Sequence, residues 1–191
     1  MFVVLVVTIL ALASGQTPKP CESPKEFEAN FIRWDHERKW FQEARVAYDE
    51  NNQRTREREE LLIGSKANFY DILTLHKENK EYRLNLKTKT CNVTVPRRSF
   101  MPLGIPMGTK YQGSYVVGMV GNPNEQVTAA TFEGTHEGNF FWGAVTIPSC
   151  VPLQYGVHFN STGDGFHMTF YDLQIGIVDP NVWIPPKECL Q

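Results

Sequence analysis

Four cysteines, five histidines and one run of acidic residues are the side chains of this 191-residue chain that could do chemistry. Their spacing offers them little. Cys21, Cys91, Cys150 and Cys189 lie far apart, with no Cys-x-x-Cys pair to hold zinc or to cycle between redox states. His36, His76, His136, His158 and His167 are scattered. His158 and His167 could approach each other across a hairpin, but a two-histidine metal site needs further ligands that the spacing does not supply, so surface or packed histidines are the simpler reading. No Gly-x-Ser-x-Gly elbow, phosphate-binding Gly-rich loop or His-Glu-x-x-His helix occurs. Glu57 with Glu59 and Glu60 reads as a solvated edge. The expectation is a protein without an enzymatic site.

The elements that would carry these residues start with an export signal. Phe2 to Ala13 is almost wholly apolar and uncharged, and Ala13 and Gly15 place small residues before a cut after Gly15. About twelve apolar residues are too few to span a bilayer, which needs roughly 20, and no later segment is long or apolar enough. Residues 1–15 are thus expected to be a signal peptide and residues 16–191 a single secreted domain. In an oxidising compartment an even number of cysteines reads as two disulfides, with three pairings open. Two sequons fit the same compartment, Asn92-Val93-Thr94 and Asn160-Ser161-Thr162, making Asn92 and Asn160 the glycosylation candidates. A net charge of −2 without a basic stripe argues against a nucleic-acid partner.

Strand signals dominate the chain. Phe27, Ala29 and Phe31 alternate with polar residues, and Trp40 to Tyr48 follows the charged turn His36 to Lys39 as a hairpin partner. Asp49 to Gln53 is a turn whose adjacent asparagines suit left-handed geometry. Strands are expected at Phe69–Leu75, Glu81–Leu86, Cys91–Val95, Gly113–Val120, Gln126–Phe132, Asn139–Ile147, Pro152–Asn160 and Gly165–Ile177, with a long loop from Pro96 to Thr109. Arg54 to Leu62 is ambiguous locally, since its charge run suits a solvated helix with i to i+4 pairs. Tyr171 to Ile177 alternates bulky with small or polar side chains, as a half-buried strand does, and beyond it Pro180, Pro185 and Pro186 forbid ladder pairing and carry the chain away from the sheet as a stiff extended strap ending near Cys189.

That C-terminal segment, with Asp172, Gln174, Gly176, Ile177, Asp179 and Pro180 before a proline pair and a cysteine, resembles the ependymin and ependymin-related family of secreted glycoproteins. The stretch YDENNQRTRERE is similar to a family stretch that is a hairpin entering a third strand, which decides Arg54–Leu62 as strand. The resemblance covers Cys21 to Cys189 and implies the pairs Cys21–Cys150 and Cys91–Cys189. It also implies an all-β fold of two stacked antiparallel sheets, a sandwich or half-open barrel, with an apolar cavity similar to that of bacterial lipoprotein carriers. A homodimer and calcium as the one associated ion belong to the same implication. No Asp-x-Asp-x-Asp-Gly loop exists to hold calcium, leaving backbone carbonyls with Asp49, Asp164 or Asp179, or glycan acids, as ligand sources.

Phe132, Phe140, Trp142, Phe166, Met168 and Phe170 crowd the C-terminal half and are the candidate lining of that cavity. The functional expectation is a secreted glycoprotein, extracellular or in the lysosomal lumen, that binds a fatty acyl chain or other lipid without chemistry. The alternative is a calcium-responsive matrix or adhesion protein.

Overall fold

The computed structural model describes residues 17–35 and 40–190, so the expected signal peptide and the His36 to Lys39 turn lie outside the described residues. Among the described residues, eleven antiparallel strands form the fold: β1 (Glu26–Asp35), β2 (Trp40–Asp49), β3 (Arg54–Ile63), β4 (Lys66–Leu75), β5 (Lys80–Asn85), β6 (Cys91–Thr94), β7 (Lys110–Gly118), β8 (Gln126–His136), β9 (Asn139–Thr146), β10 (Pro152–His158) and β11 (Gly165–Ile175). They lie in one sheet in the order β6-β5-β4-β3-β2-β1-β11-β10-β9-β8-β7. The all-β, open architecture is as expected. The two halves are continuous with each other, because β1 pairs with both β2 and β11.

This order explains the long Pro96–Thr109 loop. The chain meanders outward from β1 to the β6 edge, must reach the opposite edge to begin β7, and then meanders back to lay β11 beside β1. The connection crosses one face of the sheet. Phe100 and Leu103 pack on the cluster of Phe27, Phe31, Val46, Tyr48, Met168 and Phe170, and Ile105 is buried with Ala130, Phe132, Phe141 and Val145. We call this the roofed face. The residue at the crossing point is Gly104, at φ 141°. A Cβ there would stand 2.9 Å from the Cys21 carbonyl oxygen, so only glycine lets the loop lie against the N-terminal segment. The Ile105 amide donates to that same carbonyl at 2.8 Å.

The other face carries the C-terminal strap. Trp183 and Cys189 pack on Leu73, Leu75 and Tyr82, and the strap is pinned by a buried ion pair. Arg56 donates to both oxygens of Asp71, at 2.7 and 2.8 Å, and also to the Val182 and Ile184 carbonyls at 2.7 and 3.1 Å. The disulfides join Cys21 to Cys150 and Cys91 to Cys189. The first ties the N-terminal segment under the roof; the second ties the strap to the β6 edge.

Local chemistry corrects three expectations. In the turn after β2 the left-handed residue is Gln53 (φ 51°), not an asparagine, because Asp49 accepts from the Asn52 amide and side chain and holds Asn52 in the turn, while the Asn51 side chain donates to Glu26. The strap is not wholly extended: Asp179 accepts from the Asn181 amide at 2.9 Å and caps a 3₁₀ turn at Pro180–Trp183, with another at Lys187–Cys189. The alternation from Tyr171 onward breaks at Asp172, whose φ of 51° lies in a bulge opposite Glu28 and Asn30.

Candidate functional site, an apolar face with a charged border

Strand registers sort the candidate residues by face. Phe31 pairs with Phe170 and Ala44, Arg33 with Met168 and Gln42, Tyr155 with Met168 and Gly143, and Phe132 with Gly143. Partners across a ladder share a face. Phe132, Phe166, Met168 and Phe170 therefore stand together on the roofed face with Phe27, Phe31, Phe141 and Tyr155. Tyr155 is its hub: its ring stacks on Phe141 at 6.3 Å and Phe170 at 5.8 Å and meets Phe166 edge-on at 6.0 Å.

Phe140 and Trp142 are not part of this set. Trp142 pairs with Gly156 and Phe140 with His158, one residue out of phase with Phe141 and Gly143, so the period of two sends them to the opposite face. There they line a concavity of about 280 Å³ with Trp34, His158 and His167, which reaches round the strand ends to Asp35, Val157 and Phe166. His167 is packed between the two indoles, 4.9 Å from Trp34 and 4.2 Å from Trp142. Gly156 is required beneath Trp142, since a Cβ there would fall 2.3 Å from the indole nitrogen.

The roofed face changes character across β2. On β3 to β5 it bears Glu57, Glu59, Tyr70 and Arg83, which Arg33 and Gln42 join to the apolar half. The Gln42 side-chain amide donates to both Glu59 and Glu57, and its oxygen accepts from Arg33 Nε at 2.7 Å. Arg83 donates to Glu59 at 3.0 Å and lies 4.2 Å above the Tyr70 ring. The Arg33 guanidinium sits 5.5 Å from the Phe31 and Trp40 rings and 5.9 Å from Phe166. Further along the rim, Arg98 of the roof loop lies 5.3 Å over Phe159, whose ring is 6.1 Å from Phe166.

Glu59 is the opposite of a solvated edge residue. Its side chain is 4% exposed, and burial, with the neighbouring Glu57 charge, pushes its carboxyl up to about 7. The reason is position: β3 is an interior strand, and alternation sends Arg54, Arg56 and Arg58 to the strap face and Glu57 and Glu59 to the roofed one. Burial likewise pushes the Tyr155 hydroxyl up to about 12, with Arg33 and Glu57 close enough to act on it in opposite senses.

Of this polar border, Arg33, Gln42 and Arg83 are not singled out by the sequence, and Glu57 and Glu59 are read there only as a solvated edge. The usable signal was the period-two sorting of opposite charges in RTREREE, which no helix would need. Asn92 and Asn160 are exposed, the first on edge strand β6 and the second beyond β10. Among the described residues no group of three or more His, Cys, Asp or Glu side chains could hold a metal ion, and no helix is long and apolar enough to cross a membrane.

The Ependymin family profile matches residues 64–189. Mammalian ependymin-related protein 1 of Mus musculus is 32% identical over 178 residues, spanning 91% of this chain and 77% of that protein. The protein of the same name from Rattus norvegicus is 30% identical over 92% of this chain and 79% of its own length. Among solved structures, an uncharacterized conserved protein from Thermus thermophilus superposes with a TM-score of 0.54 at 11% identity, covering 87% of this chain and 88% of that one. That likeness speaks to fold alone.

Proposed function

This chain belongs to the ependymin family, and from that premise we propose that it is a secreted glycoprotein that binds the hydrocarbon chain of a lipid against the roofed face. Family membership supports the extracellular setting. The observation that carries the ligand reading is the roof itself. Across β2, β1, β11, β10, β9 and β8 the face is apolar up to the Arg33–Gln42 border, yet a loop and the N-terminal segment cover it where a second sheet or a helix would normally pack. A loop is more easily displaced than a sheet, and each methylene buried beneath it is worth about 0.8 kcal/mol. Glycans at Asn92 and Asn160 are part of the proposal. So is a homodimer, for which edge strand β7 offers exposed Tyr115, Val116 and Val117.

Lipid extraction of the secreted protein followed by mass spectrometry tests the reading, since a carrier leaves the cell loaded. The two faces supply the control. Phe170→Glu should abolish displacement of a fluorescent fatty acid, because an unpaired charge in an apolar site costs several kcal/mol. Trp142→Glu, on the other face, should leave it intact. Absence of any saturable acyl binding, combined with a calcium-dependent change in association state, would replace the carrier reading by the matrix one.

A further inference from the structure

We propose that the N-linked glycan at Asn160 folds back along the face opposite the roof, and that its first sugar rings pack on Phe140 and Trp142. The proposal rests on the glycoprotein reading above and deepens it by giving that glycan a docking surface built into the fold.

The surface is a floor with a wall. The Trp142 indole lies over Gly156, where a Cβ would fall 2.3 Å from its nitrogen, so the ring rests flat on the neighbouring strand with one π face turned outward. The His167 ring stands at 79° to it and is inclined only 33° to Trp34, so these two rise beside the floor as a wall. Phe140, nearer the hairpin end of β9, continues the apolar row and is 41% exposed. Thr135, opposite Phe140, and the exposed His158 place hydrogen-bonding groups beside these rings. Among the described residues no lysine or arginine lines this concavity, so nothing in it calls for an anion. Its complement is a neutral ligand with apolar faces and polar edges. A pyranose with equatorial substituents has that form: its axial C–H groups meet a π face while its hydroxyl and acetamido groups reach outward.

The attachment point decides which sugar arrives. Phe159 packs on Phe166 of the roofed face, so the next residue, Asn160, turns to the other side. Its Nδ2 donates to the carbonyl of Gly138 in the turn between β8 and β9, two residues before Phe140. His158, two residues before Asn160, pairs with Phe140, and Gly156 pairs with Trp142. The linkage nitrogen, Phe140 and Trp142 thus follow one another in two-residue steps of about 7 Å along the sheet, a path that consecutive sugar rings can cover. Glycosylation replaces one of the two Nδ2 hydrogens and leaves the other for Gly138, so the bond that aims the side chain survives the modification. Asn92 has no such surface beside it, since it pairs with Arg83, whose guanidinium covers the Tyr70 ring. A bare patch of Phe140, Trp142 and Trp34 invites association, and a glycan lying on it removes that hazard without a further layer of protein.

Asn92 serves as the internal control. In secreted protein carrying isotopically labelled N-acetylglucosamine, the core resonances at Asn160 should be shifted upfield by the indole ring current and broadened by slower motion. Those at Asn92 should match a free glycan, with Asn92→Gln and Asn160→Gln assigning each set. An endoglycosidase acting on the folded protein should trim the Asn160 glycan about fivefold to tenfold more slowly than the Asn92 glycan, the scale of one stacking contact. Phe140→Ala, a substitution at an exposed position, should speed trimming at Asn160 and move its resonances toward the free-glycan values, while Asn92 is unchanged. Equal trimming rates at the two sites, Asn160 resonances that match a free glycan, or protection unaltered by Phe140→Ala each overturn the docking surface and leave the glycoprotein reading standing. A mass spectrum of the secreted protein showing Asn160 unmodified removes that glycan from the glycoprotein reading, and this proposal with it.

Discussion

The two halves of this sheet solve the same burial problem with opposite chemistry. From β1 through β11 to β8 the roofed face is packed with Phe27, Phe31, Phe132, Phe141, Tyr155 and Phe170, and its opposite face is left to Phe140, Trp142 and His167. From β3 to β5 the roofed face is charged, and the apolar residues Leu73, Leu75 and Tyr82 lie on the other side under the strap. The apolar side thus switches faces at β2. A sheet needs only one covered face per half, and here each half is covered by a different irregular segment, one a crossing loop and the other a terminal strap. The difference teaches that the charged β3 strand is interior structure, held by paired charges, while the apolar half is held by dispersion and burial.

The largest expected effects come from the covalent ties, because each half has one. Cys21–Cys150 closes a separation of 129 residues and Cys91–Cys189 one of 98. On the chain-entropy model these lengths are almost equivalent, and loss of either bridge should cost about 4 to 5 kcal/mol. Paired Cys→Ser substitutions measured by denaturant unfolding should therefore agree within about 1 kcal/mol by that argument. Hydrogen exchange should still separate them: the first pair should deprotect Leu103 and Ile105 in the roof, the second Val182 to Ile184 in the strap. A large inequality in stability would mean that one cover is held mainly by its bridge and the other by packing.

Next in size is the ion pair under the strap. Arg56 and Asp71 side chains are each 8% exposed, so Arg56→Ala leaves a buried carboxylate with only the 3.3 Å contact from the more exposed Arg58. The expected loss is about 3 to 5 kcal/mol, with release of the strap because two carbonyl bonds go as well. Arg56→Leu combined with Asp71→Leu should recover most of it. If the single substitution costs under about 1 kcal/mol, the charged half is not held as described.

Much of the strand rhythm was legible in the sequence, and the reason shows in β1. Phe27, Ala29 and Phe31 alternate because one face is buried, and period two is a direct imprint of that burial. The family-like motif decided β3, where local charge pattern favoured a helix. Face assignment was less legible: Phe140 and Phe141 are adjacent and equally bulky, and nothing local says which of them the roof will cover. Choosing Phe140 carried Trp142 to the opposite face with it. The polar border could not be read either, since Gln42 and Glu59 become buried partners only through the β2–β3 register, and Arg33 reaches them only because β1 lies on the far side of β2.

Glu59 gives the pH signature of that border. Its carboxyl is raised in the folded protein, to about 7, above the unfolded value, so the folded state holds a proton that the unfolded state has released. Its contribution is favourable at low pH and is lost as pH rises from about 4.5 through 7, by up to about 3 kcal/mol. Glu59→Gln should flatten that slope and be more stable than the wild type above pH 7. Unfolding midpoints across pH 4 to 8 check both. A wild-type stability that rises over this interval, after subtraction of the Glu59→Gln curve, would contradict the buried, proton-holding state.

The smallest effect tests the roof at the boundary between the halves. Tyr48 on β2 stacks on Phe27 at 4.9 Å and on Phe100 at 5.6 Å, and its hydroxyl both donates to Glu50 and accepts from the Leu103 amide at 3.0 Å. It joins the crossing loop to the sheet by ring contact and hydrogen bond together. Tyr48→Phe keeps the stacking and removes the acceptor, leaving the Leu103 N–H under the roof without its partner, at a cost of about 1 to 2 kcal/mol. If the roof is a cover that lifts to admit a ligand, part of this loss should reappear as faster exchange at Leu103 and a higher on-rate for a fluorescent fatty acid, with stability elsewhere unchanged. A substitution that lowers global stability without altering either rate would mean that the loop is permanent core, and the apolar half would then be closed to ligand on this side.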